Sequence, residues 1–249
     1  MDLLELIIEY HKDNARQGPG SDEATLKPLS YIPSLNNQTK ILDIGCGTGG
    51  QTITLAKNTA AHITAVDMPS QFLDKLMQRA KEDSLIDRIT AKEMLMDNLS
   101  FEEGSFDVIW SEGAIYNIGF EKGLTLWKKY LKNDGYIAVS EISWLTDTRP
   151  EEIEEYWVNA YSEIDTIEAK LSVIEKCGYM PVAHFALDDK CWIDNYYQPL
   201  LENAEAFLRK YDYAPEVREF IDAGKEEAEL YNRFKDYYSY VFYVGKKIR

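Results

Sequence analysis

Apolar residues fall along this chain in two alternating rhythms. Residues 41–44, 62–67, 88–92, 106–110 and 136–143 are short, largely apolar runs of the length a buried strand needs. Between them, 48–57, 70–83 and 121–131 carry apolar residues at helical spacing. In the second of these, Phe72, Leu73, Leu76, Met77 and Ala80 share one face. Asn133-Asp134-Gly135 reads as the C-terminal stop of the third. Strands alternating with helices predict βαβ units and a parallel sheet.

Both ends depart from this rhythm. Residues 1–17 read as an amphipathic helix with Leu3, Leu4, Ile7 and Ile8 on its apolar face. Gly18-Pro19-Gly20-Ser21 then breaks the chain, and Ser21 or Asp22 caps a second helix running toward Tyr31. After Trp144, Pro150-Glu151-Glu152 opens an acidic helix. A helix over 165–177, a strand over 178–187, a long helical stretch over 195–235 and a last strand over 238–247 complete the pattern. No linker or repeat interrupts it. The expectation is one domain, 1–249: an N-terminal helical lid (1–38), a core (39–143), and covering helices with the last two strands (144–249).

Composition narrows the class of protein. A chain of 249 residues, 45% hydrophobic, can bury a core without disulfides or metals. With 27 Lys+Arg against 43 Asp+Glu, the net charge of −16 disfavours binding to nucleic-acid phosphates. No run reaches the ~20 apolar residues of a membrane span, and acids stand where a signal peptide carries bases. Cys46, Cys177 and Cys191 form no C-x-x-C, and His11, His62 and His184 are scattered, so no metal site is expected. A cytoplasmic setting fits.

The chemistry concentrates at Ile41-Leu42-Asp43-Ile44-Gly45-Cys46-Gly47-Thr48-Gly49-Gly50, a strand, a glycine turn and a helix start. Glycine lets the backbone turn sharply and lets a ligand approach, and the helix start adds N–H donors. Gly45, Gly47 and Gly50 satisfy G-x-G-x-x-G, by itself a weak sign of a dinucleotide site. Asp43 argues otherwise: a carboxylate at that strand end would repel a pyrophosphate and suit an unphosphorylated ligand carrying an ammonium group. S-adenosylmethionine (SAM) is such a ligand. Asp67, at the end of the next strand, stands where nucleotide-binding units accept hydrogen bonds from ribose hydroxyls. Met68 is placed to pack on the adenine face.

These segments resemble the class I SAM-dependent methyltransferases. Residues 43–49 match their first motif and Ala65-Val66-Asp67-Met68 their second. Met96-Asp97-Asn98-Leu99-Ser100-Phe101 looks like their adenine-binding turn, and residues 131–136 like the turn before their fifth strand. The resemblance covers roughly 40–143 and is nearest to the branch holding the ubiquinone/menaquinone methyltransferases. It implies an α/β, Rossmann-like sheet, mostly parallel with an antiparallel last strand, and helical additions at the N-terminus and after strands 5 and 6. It implies SAM as cofactor, leaving S-adenosylhomocysteine (SAH). Gly45, Cys46 and Gly47 would line the methionine tail, Gly49 would belong to the same cofactor site, and Asp43 would meet the ammonium. Asp67 would hold the ribose, Met68, Met96 and Asp97 the adenine, and Ser111 would approach the tail. The adenine acid of relatives often stands two residues earlier, where this chain has Leu95.

The expected partner is a small-molecule methyl acceptor, with an aromatic or quinone-like molecule as one candidate and a homodimer left open. Tyr116 and Asn117, with Glu112, follow the fourth strand where the class keeps substrate-facing residues. Glu141, late in the fifth strand, is a candidate general base if burial raises its pKa. Trp144 and the tyrosine-rich last third are candidates for pocket walls or for plain packing. Two rival readings stand beside this one: an NAD-dependent oxidoreductase, and a SAM-binding protein without turnover that acts through a partner.

Overall fold

Each of the short apolar runs folds as a strand of one sheet. The computed structural model describes residues 3–33 and 35–248. β1 (Lys40–Ile44), β2 (His62–Asp67), β3 (Ile89–Glu93), β4 (Phe106–Ser111) and β5 (Leu131–Trp144) pair in parallel. β6 (Asp165–Thr166) adds two residues to β5. β7 (Tyr179–Ala186) and β8 (Tyr238–Lys247) complete the order β3-β2-β1-β4-β5-β8-β7, with β8 antiparallel to both neighbours. β1 is central and nearly all buried, as a parallel strand covered on both faces must be.

Helices cover both faces. α1 (Leu3–His11) and α2 (Asp22–Leu26) precede the sheet. α3 (Gly50–Asn58), α4 (Ser70–Glu82) and α5 (Phe120–Trp127) connect its parallel strands. α6 (Glu151–Ala160) and α7 (Ile167–Lys176) follow β5. α8 (Asp189–Trp192), α9 (Gln198–Lys210) and α10 (Pro215–Phe234) lie between β7 and β8. One apolar cluster runs through Ile41, Leu55, Ile63, Leu76 and Trp110, and a second through Leu42, Ile44, Ile109, Leu124 and Trp127. Neighbouring residues of one strand thus feed opposite faces of the sheet.

Several expectations need correction. α1 ends at His11 rather than 17; its start at Met1 and Asp2 lies outside the described residues. Leu3, Leu4 and Ile7 are exposed, while Leu6 and Tyr10 pack against Phe207, Val217 and Ile221 of α9 and α10. Asn133-Asp134-Gly135 is not a helix stop. It lies inside β5, where the register against β4 shifts and Asp134 takes a positive φ of 61°. The helical stretch 195–235 is two helices, parted where Asp212 and Tyr213 adopt the left-handed region. The parallel strands end together at the β1–α3 turn, where a sheet of this topology binds its ligand.

Candidate active site

The turn after β1 winds through left-handed backbone at Gly45, Gly47 and Gly49, with φ of 74°, 53° and 89°. Its N–H groups are spoken for within the protein. Those of Gly45 and Cys46 donate to the Val66 carbonyl, that of Gly47 to Asp67 Oδ2 at 2.7 Å, and that of Thr48 to Gln17 Oε1 at 2.7 Å. The Gly49 N–H closes onto the Cys46 carbonyl. The turn from Gly45 to Gly49 therefore has no spare backbone donors with which to cradle a diphosphate, contrary to the donors expected from the sequence.

The charge around it is acidic. Asp43 is fully buried beneath the turn, accepting from Thr52 Oγ1 at 2.5 Å and Gln51 Nε2 at 3.3 Å. Burial pushes its pKa up to about 7, and the charges of Glu112 and Asp67 push the same way. Asp67 is likewise raised by burial, although the Gly47 and Met68 N–H groups oppose this. Glu112 accepts from Trp110 Nε1 and Thr25 Oγ1, and pairs with Arg16 at 3.0 Å. Carboxylates held this close favour a cationic ligand over an anionic one.

A cavity of about 480 Å³ opens at the turn, a normal size for a small-molecule site. Gly45, Cys46 and Gly47 form its floor, Asp67 and Met68 one wall, and Met96 and Asp97 another. Tyr116 and Asn117 line it from the loop after β4. Met96 is fixed by Trp127, whose indole N–H donates to its carbonyl at 2.8 Å; Asp97 is half-exposed and pairs with Lys122.

Five of the residues singled out from the sequence stay off the cavity wall. Asp43 acts from below. Gly49 packs on Leu76, which a Cβ would meet at 2.3 Å. The buried Ser111 hydroxyl donates to the Ile44 carbonyl at 2.8 Å and ties β4 to β1. Glu141 is fully buried and bonded to Lys170 Nζ at 2.9 Å. Burial raises its pKa, but it lines neither this cavity nor its neighbour and so has no acceptor to deprotonate. Trp144 is buried core, against Tyr238 and the Arg149 guanidinium, and not a pocket wall.

The residues after α1 close over the turn. Gln17 Nε2 donates to Thr48 Oγ1 at 3.0 Å, and a Cβ on Gly47 would strike Gln17 Oε1 at 2.1 Å. Arg79 of α4 binds the Thr48, Asn14 and Ala15 carbonyls, clamping this segment to the turn. No local motif announces Arg79. It is a lysine- or arginine-type residue on the polar side of a helix whose partners lie far away in sequence.

A second cavity, of about 720 Å³, adjoins the first and shares Ile7, Gln17, Phe72 and Tyr116 with it. Its walls include Tyr156, Tyr196, Tyr197, His11 and Glu227. From the tyrosine-rich last third, Tyr196 and Tyr197 reach it, while Tyr231, Tyr238 and Tyr240 pack around Trp192.

Comparison with known proteins bears on the family and the fold. Residues 41–135 match the model of a methyltransferase domain. A phosphoethanolamine N-methyltransferase of Plasmodium falciparum is 29% identical over 204 residues, covering 77% of this chain and 73% of that protein. A ubiquinone/menaquinone biosynthesis C-methyltransferase of Citrifermentans bemidjiense is 31% identical over 119 residues, covering 47% of this chain and half of that protein. A SAM-dependent methyltransferase of Geobacter sulfurreducens, solved with SAH, superposes with a TM-score of 0.85 at 19% identity, covering 99% of each chain. Residues 41–135 are thus similar to a methyltransferase domain, and the described chain shares the fold of a solved member of the SAM-dependent methyltransferase class. SAM is the cofactor of that class.

Proposed function

We propose that this chain transfers the methyl group of SAM to a small-molecule acceptor seated in the second cavity. The observation that carries the proposal is the acid-lined glycine turn, its backbone donors already engaged, opening past Tyr116 onto that larger chamber.

Each residue takes a defined part in this reading. Asp67 holds the ribose hydroxyls, its carboxylate aimed by the Gly47 and Met68 N–H groups. Met68, Leu95 and Met96 flank the adenine, and Asp97 reads its edge. Gly45, Cys46 and Gly47 run beside the methionine tail, with Asp43 supplying charge from beneath. The bound sulfonium activates its own methyl, so the protein's work is alignment of an in-line attack and exclusion of water. Tyr116, at the junction of the two cavities, faces the transferred group, and Asn117 fixes its turn by donating to the Ala114 carbonyl at 2.9 Å. The segment 13–17 serves as the cover. An oxidoreductase binding NAD fits less well, because its diphosphate would meet carboxylates and no spare donors at the turn.

The test is an assay with methyl-labelled SAM and small-molecule extracts of cells. The expected result is label in at least one small molecule, dependent on the chain. SAH binding with no labelled product from any extract would overturn turnover and leave a SAM-binding protein acting through a partner.

A further inference from the structure

Glu227 sits in the second cavity without a basic partner. It lies on α10, among the residues that make that helix's buried face, Val217, Ile221, Ala228 and Tyr231. Among the described residues no ion pair involves it. The two cations that line the same cavity are engaged elsewhere, Lys225 with Asp222 at 2.8 Å and Arg233 with Glu152 at 2.6 Å. Among the described residues its one hydrogen bond is from the Tyr197 hydroxyl, at 2.9 Å. Burial raises its pKa, the mark of a carboxylate kept from water with its charge uncompensated.

What surrounds this carboxylate is aromatic. Tyr116, Tyr156, Tyr196 and Tyr197 line the cavity and feel the charge of Glu227. Tyrosine faces attract cations, and a cage of them around a carboxylate is a complement to an ammonium group. A second polar residue lines the same space. His11 is more than nine-tenths buried, lies flat against Tyr196, and its Nδ1 has no hydrogen-bond partner. Burial lowers its pKa to about 4, so the ring is neutral and does not compete with a bound cation for the carboxylate.

We propose that the acceptor is a cationic amine, its nitrogen held against Glu227 within the cage of Tyr116, Tyr156, Tyr196 and Tyr197. A neutral quinone would leave the charge of Glu227 uncompensated, with only the Tyr197 hydroxyl bonded to it. The inference rests on the proposed function in taking this cavity as the acceptor's seat, and it leaves open which atom receives the methyl.

Calorimetry on the full chain tests it with three titrants: SAH, phenethylamine at neutral pH, and 2-phenylethanol as its uncharged analogue. The wild-type chain should prefer the amine by about tenfold or more, a difference of ~1.4 kcal/mol. Glu227→Gln, which keeps an oxygen for the Tyr197 hydroxyl, should erase that preference while SAH affinity stays unchanged. Equal affinities, preference for the alcohol, no binding of the amine, or a preference that survives in Glu227→Gln would each overturn the inference. The wild-type comparison stands even if the variant folds poorly. Amine preference without SAH binding would count against the proposed function alone, and SAH binding without amine preference against this inference alone.

Discussion

At the scale of single residues, the site is governed by carboxylates at different depths. Asp67 is at the cavity wall, with two N–H groups fixing its orientation. Asp67→Ala should weaken SAM and SAH binding by ~10–100-fold, the loss of charge-assisted bonds to a ribose. Calorimetry measures this, and unchanged affinity would remove the ribose assignment. Asp43 lies deeper, and burial raises its pKa to about 7 from an ordinary value near 3.8. A carboxyl raised in the folded state binds its proton more tightly there than in the unfolded chain. Its contribution to stability is therefore full below about pH 4 and is lost as pH rises through about 7. Asp43→Asn cannot titrate, so its stability relative to wild type should rise between pH 4 and 7 and level off above. Denaturant unfolding across that range reads the difference, and a constant offset would show that Asp43 ionises normally.

At the scale of elements, legibility followed the range of the interactions. β2 and β8 stand where the sequence pattern puts them, because apolar runs of strand length have few other uses. Ends set by distant partners were not legible. α1 stops at His11 because Asn14, Ala15 and Gln17 bond to Thr48 and Arg79, contacts no local pattern encodes. Glu141 shows the same limit at a side chain: its place late in β5 suggested the crevice, but Lys170 of α7, 29 residues on, meets it inside the protein. Lys170 also sits over the Phe120 ring at 4.6 Å, so the pair is locked among apolar groups. Lys170→Met should destabilise the fold by about 3–5 kcal/mol by stranding Glu141, and adding Glu141→Leu should recover most of that loss. Chemical denaturation of both variants tests this. A single variant as stable as wild type would mean that the carboxyl is already neutral. For the site, the glycine turn, Asp67, the Met96-Asp97 turn and Tyr116 were legible because they lie at strand ends or within five residues of them. Glu227 left one faint signal, an acid inside the apolar arc of a 20-residue helix.

At the scale of the whole molecule, the fold divides labour between its two ends. The parallel half of the sheet supplies the turn and the acid wall. The chain's first helix and the helices α9 and α10 build the neighbouring chamber over the strand ends. Among the described residues no helix is long and apolar enough to cross a membrane. With a net charge of −16, the molecule as a whole favours cationic ligands over phosphates, in the same direction as its site. Titration of the purified chain with SAH and, separately, with NADH puts that preference to the most direct test. We expect SAH to bind with a one-to-one stoichiometry and NADH to give no heat beyond dilution. Saturable NADH binding with no response to SAH would contradict the account.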